Sequence, residues 1–242
     1  MSTQKMNIEI WSDIACPFCY IGKRNLELAL DKLSFKDKID VEWKAFQLDP
    51  SFVQDHENKS DLVESLSKKY NRSRDEIEQM QNQITATAKS VGLDYDFSKT
   101  IPFNTFDAHR IISKGKEKKL DDQLEEAFFK AYFVEGKNLG NKEVITEVAK
   151  KAGLTDDEIK DALENDQYAY EVEQDIQEAQ QIGVRGVPFF VMDRKYGVSG
   201  AQPVEAFTQT LEKAYEDWSQ NQKSPKLDIS EGSSCSVDGN CD

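Results

Sequence analysis

Two of the four cysteines in this 242-residue chain are spaced for chemistry. Cys16-Pro17-Phe18-Cys19 follows the apolar stretch Ile8-Glu9-Ile10-Trp11, which reads as a short strand, and precedes residues 21–30, which read as an amphipathic helix. Thiols three apart on a first helical turn share one face. Free N–H groups and the dipole at a helix N-terminus stabilise negative charge. A thiol held there ionises more readily, and the thiolate is the nucleophile. Pro17 suits the first helical position, where its missing N–H costs nothing. The pattern predicts Cys16 as the exposed nucleophile and Cys19 as the resolving thiol one turn further in. A C-x-x-C is also half of a zinc site, or simply two inert packed cysteines. Zinc half-sites usually occupy knuckles, whereas a strand–helix junction beside a βαβ pattern is the setting of redox chemistry.

The remaining residues must position that junction. A hydrophobic fraction of 38% allows a real core, and the length suits one large domain or one domain with an insertion. A net charge of −14 argues against nucleic acid or an anionic membrane as partner. No run approaches the ~20 apolar residues of a membrane span. Met1-Ser2-Thr3-Gln4-Lys5 leads straight into the first strand without the charged and apolar regions of a secretory signal, so a cytoplasmic setting is expected. Four cysteines cannot scaffold so long a chain. In a reducing compartment they are reactive or metal-binding rather than structural.

Residues 39–46 alternate at period two and predict a second strand, ended by Pro50. A β-α-β opening with a helix of crossover length predicts a parallel pair. Residues 51–165 change character, with sparse glycine and apolar residues recurring at three and four. This block predicts five or six helices and no strand. Ser73-Arg74-Asp75-Glu76 and Thr155-Asp156-Asp157-Glu158 are capping-box patterns. Asn104 or Thr105 is placed to cap a helix holding Ala108, His109, Ile111 and Ile112, and residues 120–134 predict another with Phe128 and Ala131 inside. Beyond the block come a helix over 168–182, a central strand over 189–192, its hairpin partner over 196–199 and a last helix over 203–218. The expected architecture is α/β: a four-stranded sheet in the order β-α-β … α-β-β-α, built from residues 1–50 and 166–220. The all-helical insertion spans 51–165, and a polar, mobile, cysteine-containing tail spans 221–242.

Four stretches make the pattern more specific: residues 12–23 around the cysteine pair, Phe46-Gln47-Leu48-Asp49-Pro50, residues 104–110 (NTFDAHR), and residues 183–191 (GVRGVPFFV). Together they resemble the DsbA-like branch of the thioredoxin-fold oxidoreductases, and individually its FrnE-type subgroup. The resemblance covers roughly residues 7–218. It implies the thioredoxin fold with an inserted helical domain and a thiol–disulfide oxidoreductase or isomerase activity. It further implies a cis peptide between Val187 and Pro188 packed against the cysteines. X-Pro bonds are the only common cis peptides, and a donor-less proline suits the mouth of a strand; an ordinary trans proline there is the plain alternative. An open backbone at Val187 would let an extended substrate pair by strand addition.

The expected substrates are protein or low-molecular-weight disulfides and thiols, met by Val187, Pro188, Pro17 and Phe18. Asn104, His109 and Arg110 are candidate substrate contacts at a cleft between the two lobes; packing is the plainer role for His109. Asp13 is placed either to relay a proton or to complement the helix N-terminus. No metal and no bound cofactor are expected; glutathione or thioredoxin is the reductant to consider. Cys235 and Cys241 flank an Asp238-Gly239 turn and form a candidate secondary redox pair, against an inert end or a shared soft-metal site. Two other functions compete. Kappa-class glutathione transferases and 2-hydroxychromene-2-carboxylate isomerases share the inserted plan but carry a single serine-type residue where this chain has the pair. A non-catalytic adaptor or metal-binding protein would tolerate loss of the pair or of Pro188.

Overall fold

A computed structural model describes residues 5–53 and 61–223; Cys235 and Cys241 lie outside them. Strand β1 (Met6–Ser12) is central. It pairs in parallel with β2 (Ile39–Ala45), from Met6 opposite Ile39 to Ser12 opposite Ala45. On its other side it runs antiparallel to β3 (Phe189–Met192), which forms a hairpin with β4 (Tyr196–Ser199), giving the order β2-β1-β3-β4. Successive β1 side chains serve opposite faces, as strand geometry requires. Ile8 and Ile10 enter the core shared with α1 (Pro17–Leu30) and α9 (Val204–Lys223). Trp11 joins Val191 and Ala179 of α8 (Asp166–Gln181) on the other face. The Trp11 indole N–H donates to the Asp175 carbonyl at 2.9 Å and so pins α8 to the sheet.

Between β2 and α8 the described residues form six α-helices: α2 (Leu62–Tyr70), α3 (Arg74–Ser90), α4 (Phe106–Lys116), α5 (Asp121–Phe129), α6 (Lys142–Lys151) and α7 (Asp156–Glu164). Both capping boxes form, on Ser73 and Glu76 and on Thr155 and Glu158. Gly92, at φ +82°, turns the chain out of α3, a conformation that favours glycine. Of the two expected caps of α4, Thr105 holds the N-cap position without a side-chain bond, while the preceding Asn104 accepts the Phe106 N–H on its Oδ1 at 3.0 Å. Ile111, Phe128 and Ala131 are buried, as their periodicity predicts.

The helix expected over 120–134 is not uniform. After Phe129 it widens into a π-helical turn, Lys130–Val134. Phe129, Tyr132 and Phe133 are all buried there. The inserted helices and the sheet share a single apolar cluster, so α1 is packed from both. Lys23 of α1, almost fully buried, reinforces the join through Asp122 at 3.0 Å and Glu126 at 3.6 Å.

Candidate active site

Cys16 is the N-cap of α1, with extended backbone (φ −94°, ψ 111°), and Pro17 opens the helix. The Cys16 N–H donates to the Asp13 carbonyl at 2.9 Å, and the Cys19 N–H to the Cys16 carbonyl at 3.1 Å. Both cysteines are free thiols. Cys16 is only 4% exposed, so the open nucleophile expected from the motif is in fact covered. The covering element is the loop before β3: Cys16 Sγ donates to the Val187 carbonyl at 3.4 Å. Phe18, 42% exposed, marks the outer edge of the motif. It borders a groove of about 340 Å³ shared with Ile21, Asn25, Val91 and Pro203. Cys19 is fully buried. Burial pushes its thiol well above the ordinary range, and the Cys16 side chain pushes it further; the Asp13 backbone N–H and the Ser12 hydroxyl act in the opposite direction.

The Val187–Pro188 peptide is cis. Gly22 lets this loop lie on α1: a Cβ there would stand 3.0 Å from Pro188 Cγ and 3.1 Å from Phe190 Cζ. The Pro188 carbonyl accepts from the Gly200 N–H at 2.8 Å, tying the loop to the end of the hairpin.

The opposite wall comes from the helical block, and no sequence pattern singled it out. Tyr95 lies between α3 and α4 and donates its hydroxyl hydrogen to the Pro17 carbonyl at 2.8 Å. Its ring stacks on Phe133 (4.8 Å between centroids) and faces Tyr20 (6.1 Å). The one available signal was the inward alternation of Leu93, Tyr95 and Phe97 in a segment the sequence pattern predicts as a loop.

Over residues 7–212 the sequence matches the family of the DSBA-like thioredoxin domain. The chain belongs to that family. A probable DsbA oxidoreductase from Streptomyces coelicolor is 36% identical, with a TM-score of 0.82 over 98% of both chains. YwbO of Bacillus subtilis, itself uncharacterized, is 29% identical over 85% of this chain and 96% of its own length. The cytosolic disulfide reductase DsbM of Pseudomonas aeruginosa, determined with GSH, shares the fold at 14% identity and a TM-score of 0.61, over 89% of this chain and 99% of its own. The protein is thus a thioredoxin-fold oxidoreductase of the DsbA type, with Cys16 and Cys19 at the head of α1.

Within this DsbA-type frame the other candidate residues are engaged elsewhere. Arg110 donates from Nε to the Ala162 carbonyl at 2.9 Å and from Nη2 to the Asn165 carbonyl at 3.2 Å, closing the C-terminus of α7. His109 is buried, its Nε2 3.4 Å from Asp13 Oδ1. Asp13 does not cap α1: its carboxylate accepts from Leu48 N at 2.7 Å and Ala15 N at 3.4 Å, holding the loop after β2 under the cysteine turn. Asn104 accepts from Gln47 Nε2 at 3.2 Å and donates to the Phe52 carbonyl at 3.0 Å. It lines a cavity of about 770 Å³ between that loop and the start of α6. Buried polar groups take the nearest partner: Arg110 is held within the helical block, and Asn104 binds the loop after β2; His109 Nε2 makes no hydrogen bond among the described residues. Among the described residues no three His, Cys, Asp or Glu side chains form a metal-binding cluster. No helix among them is long and apolar enough to cross a membrane.

Proposed function

We propose that the chain exchanges thiols and disulfides through Cys16 as nucleophile and Cys19 as resolving thiol, on protein or low-molecular-weight disulfides. The Cys16 thiolate attacks one sulfur of the substrate disulfide, forming a mixed disulfide and releasing the other sulfur as a thiolate. The Cys19 sulfur then attacks Cys16 and forms the intramolecular disulfide. The second substrate thiolate leaves and the Cys19 proton passes to it or to water. One observation carries this reading: the two thiols sit in opposite environments, Cys16 at the helix N-terminus under the Val187 carbonyl and Cys19 fully buried with its thiol held protonated. Part of what holds Cys19 protonated is Cys16 itself. Capture of Cys16 in a mixed disulfide removes that charge, so the resolving thiol is released when it is needed.

Substrate would approach over Pro17 and Phe18 and lie along the Val187–Pro188 edge by backbone pairing. Glutathione or thioredoxin would return the dithiol to its reduced form, with no bound cofactor, in a reducing cytoplasm. Cys235 and Cys241 are proposed as a second dithiol exchanging with the first. Isomerisation of substrate disulfides uses the same first step and reverses before Cys19 attacks. The test is insulin reduction by dithiothreitol, followed as turbidity. Activity is expected to vanish in Cys16→Ser. Cys19→Ser is expected to accumulate the mixed disulfide, and Cys235→Ser/Cys241→Ser to slow turnover. Glutathione-dependent turnover untouched by Cys19→Ser would overturn the dithiol reading in favour of a glutathione transferase or isomerase.

A further inference from the structure

Among the described residues, Tyr95 is the one side chain of the helical block that donates a hydrogen bond into the Cys16–Cys19 turn. Its placement is built in several layers. Gly92 ends α3, and the Leu93 N–H returns to the Ala88 carbonyl at 3.0 Å. The Asp96 N–H then donates to the Phe133 carbonyl at 2.8 Å, docking the segment on the π turn. Between these two anchors the Tyr95 ring is confined by Phe133, by Tyr20 of α1, and edge-on by Phe97 at 5.7 Å. Stacked rings on both sides leave the phenol few alternatives in direction. Its hydroxyl ends 2.8 Å from the carbonyl of Pro17, the residue between the nucleophile and Phe18.

The start of α1 has little else to hold it. Cys16 offers no side-chain cap, the first turn carries no acidic residue, and Asp13 is spent on Leu48 and Ala15. Pro17 lies within the turn that carries both sulfurs, so its carbonyl matters chemically. Its negative end disfavours a neighbouring thiolate, and a fixed donor on that oxygen offsets the effect. The donor must stay protonated while the cysteine titrates. Burial, then Cys16, Tyr20 and Cys19, all push the Tyr95 phenol upward, which keeps it neutral and places both sulfurs within its electrostatic reach.

We propose that Tyr95 is a positioning residue through which the inserted helices set the reactivity of the dithiol. It orients the Pro17 peptide, and with it the turn that carries Cys16 to the Val187 carbonyl, while lowering the negative potential at the sulfurs. The proposal rests on the dithiol reading above, but it is measured on the thiol itself, so the two can fail separately.

The experiment compares the full chain with Tyr95→Phe, which keeps the stacked ring, and with Tyr20→Phe. The Tyr20 hydroxyl donates to Glu126 at 2.6 Å rather than to the motif, which makes it the control. In Tyr95→Phe the iodoacetamide rate of Cys16 at pH 7 is expected to fall threefold or more, its pH profile moving to higher pH. The dithiol equilibrium with glutathione is expected to move at least threefold toward the disulfide. Insulin turnover should fall through kcat with KM little changed. Tyr20→Phe should leave the alkylation profile in place. If Tyr95→Phe fails to fold, 3-fluorotyrosine at position 95, a stronger donor of nearly the same shape, should move the profile the other way. Parental alkylation and equilibrium in a folded Tyr95→Phe, an equal displacement in Tyr20→Phe, or an unmoved profile with 3-fluorotyrosine would each overturn the proposal. A protein that fails to reduce insulin yet shows the Tyr95→Phe displacement would retain it and lose only the substrate reading.

Discussion

The dithiol stands between two walls of different construction. On one side the Val187–Pro188 loop presents backbone: a carbonyl to Cys16 Sγ and a proline ring set against Gly22. On the other side Tyr95 presents a single hydroxyl on a column of stacked rings that reaches Phe133 and Tyr20. The first wall is the loop that leads into β3, an inner strand, and on the function proposed above it is where an extended peptide would pair. The second meets the motif through a side chain, the Tyr95 hydroxyl. On the proposals above the backbone wall recognises and the side-chain wall tunes, so substitutions on the two sides are expected to separate binding from reactivity.

Changes to the sulfurs lying between the walls have the largest expected effect. Cys16→Ser should reduce insulin reduction to background, while Cys19→Ser should retain one attack and stall as a mixed disulfide detectable by mass. Equal residual turnover in the two variants would erase the assigned order. In the reduced protein iodoacetamide should label Cys16 before Cys19, because only Cys19 is both fully buried and held protonated.

The loop wall is tested next by Gly22→Ala. Such a change inside a helix ordinarily gains about 1 kcal/mol. Here the added methyl meets Pro188 Cγ at 3.0 Å, and overpacking typically costs about 1–3 kcal/mol. We expect a lower denaturation midpoint and reduced kcat/KM with KM raised, since the Val187–Pro188 loop, proposed above to receive substrate, would move. A stabilised variant with parental kinetics would show that the loop yields freely.

Glu125 of α5 lines a small cavity with Trp43 and His109 and is fully buried, its Oε2 lacking any hydrogen-bond partner among the described residues. Burial raises its carboxyl well above the ordinary value. In the unfolded chain it ionises near pH 4.3. The folded form is therefore fully favoured by this group below that pH and loses stability as pH rises toward the higher folded value. Glu125→Gln should remove the loss, stabilising the protein at pH 7 by about 1–3 kcal/mol relative to its effect at pH 4. Urea midpoints at the two pH values measure it; an equal effect at both would show the carboxylate to be ionised and satisfied. The smallest effect is expected from Arg110→Ala, about 1 kcal/mol from two lost carbonyl bonds at the end of α7. Its insulin kinetics should match the parent, and a rise in KM would return Arg110 to the substrate path.

Local chemistry was legible from the residue order alone. A period-two run marked β2, the apolar run over 189–192 marked β3, and residues 196–199 were legible as its hairpin partner. The strand–cysteine–helix junction located the dithiol, and Ser73 and Thr155 announced their helices through capping boxes. In each case the interacting groups lie within a few residues, so spacing specifies the contact. The tertiary structure decided what depends on distant segments meeting. Cys16 is covered because a loop 171 positions later folds over it. Tyr95 reaches Pro17 across 78 positions, and no periodicity records that pairing. The π turn after Phe129 is a departure from the α-helix that the residue spacing over 120–134 does not announce. Arg110 looked like a site residue in the linear motif NTFDAHR but bonds the Ala162 and Asn165 carbonyls, while His109 is buried near Asp13 with its Nε2 making no hydrogen bond among the described residues. Side-chain type and spacing set which chemistry is possible, while packing determines which atoms are left free to carry it out.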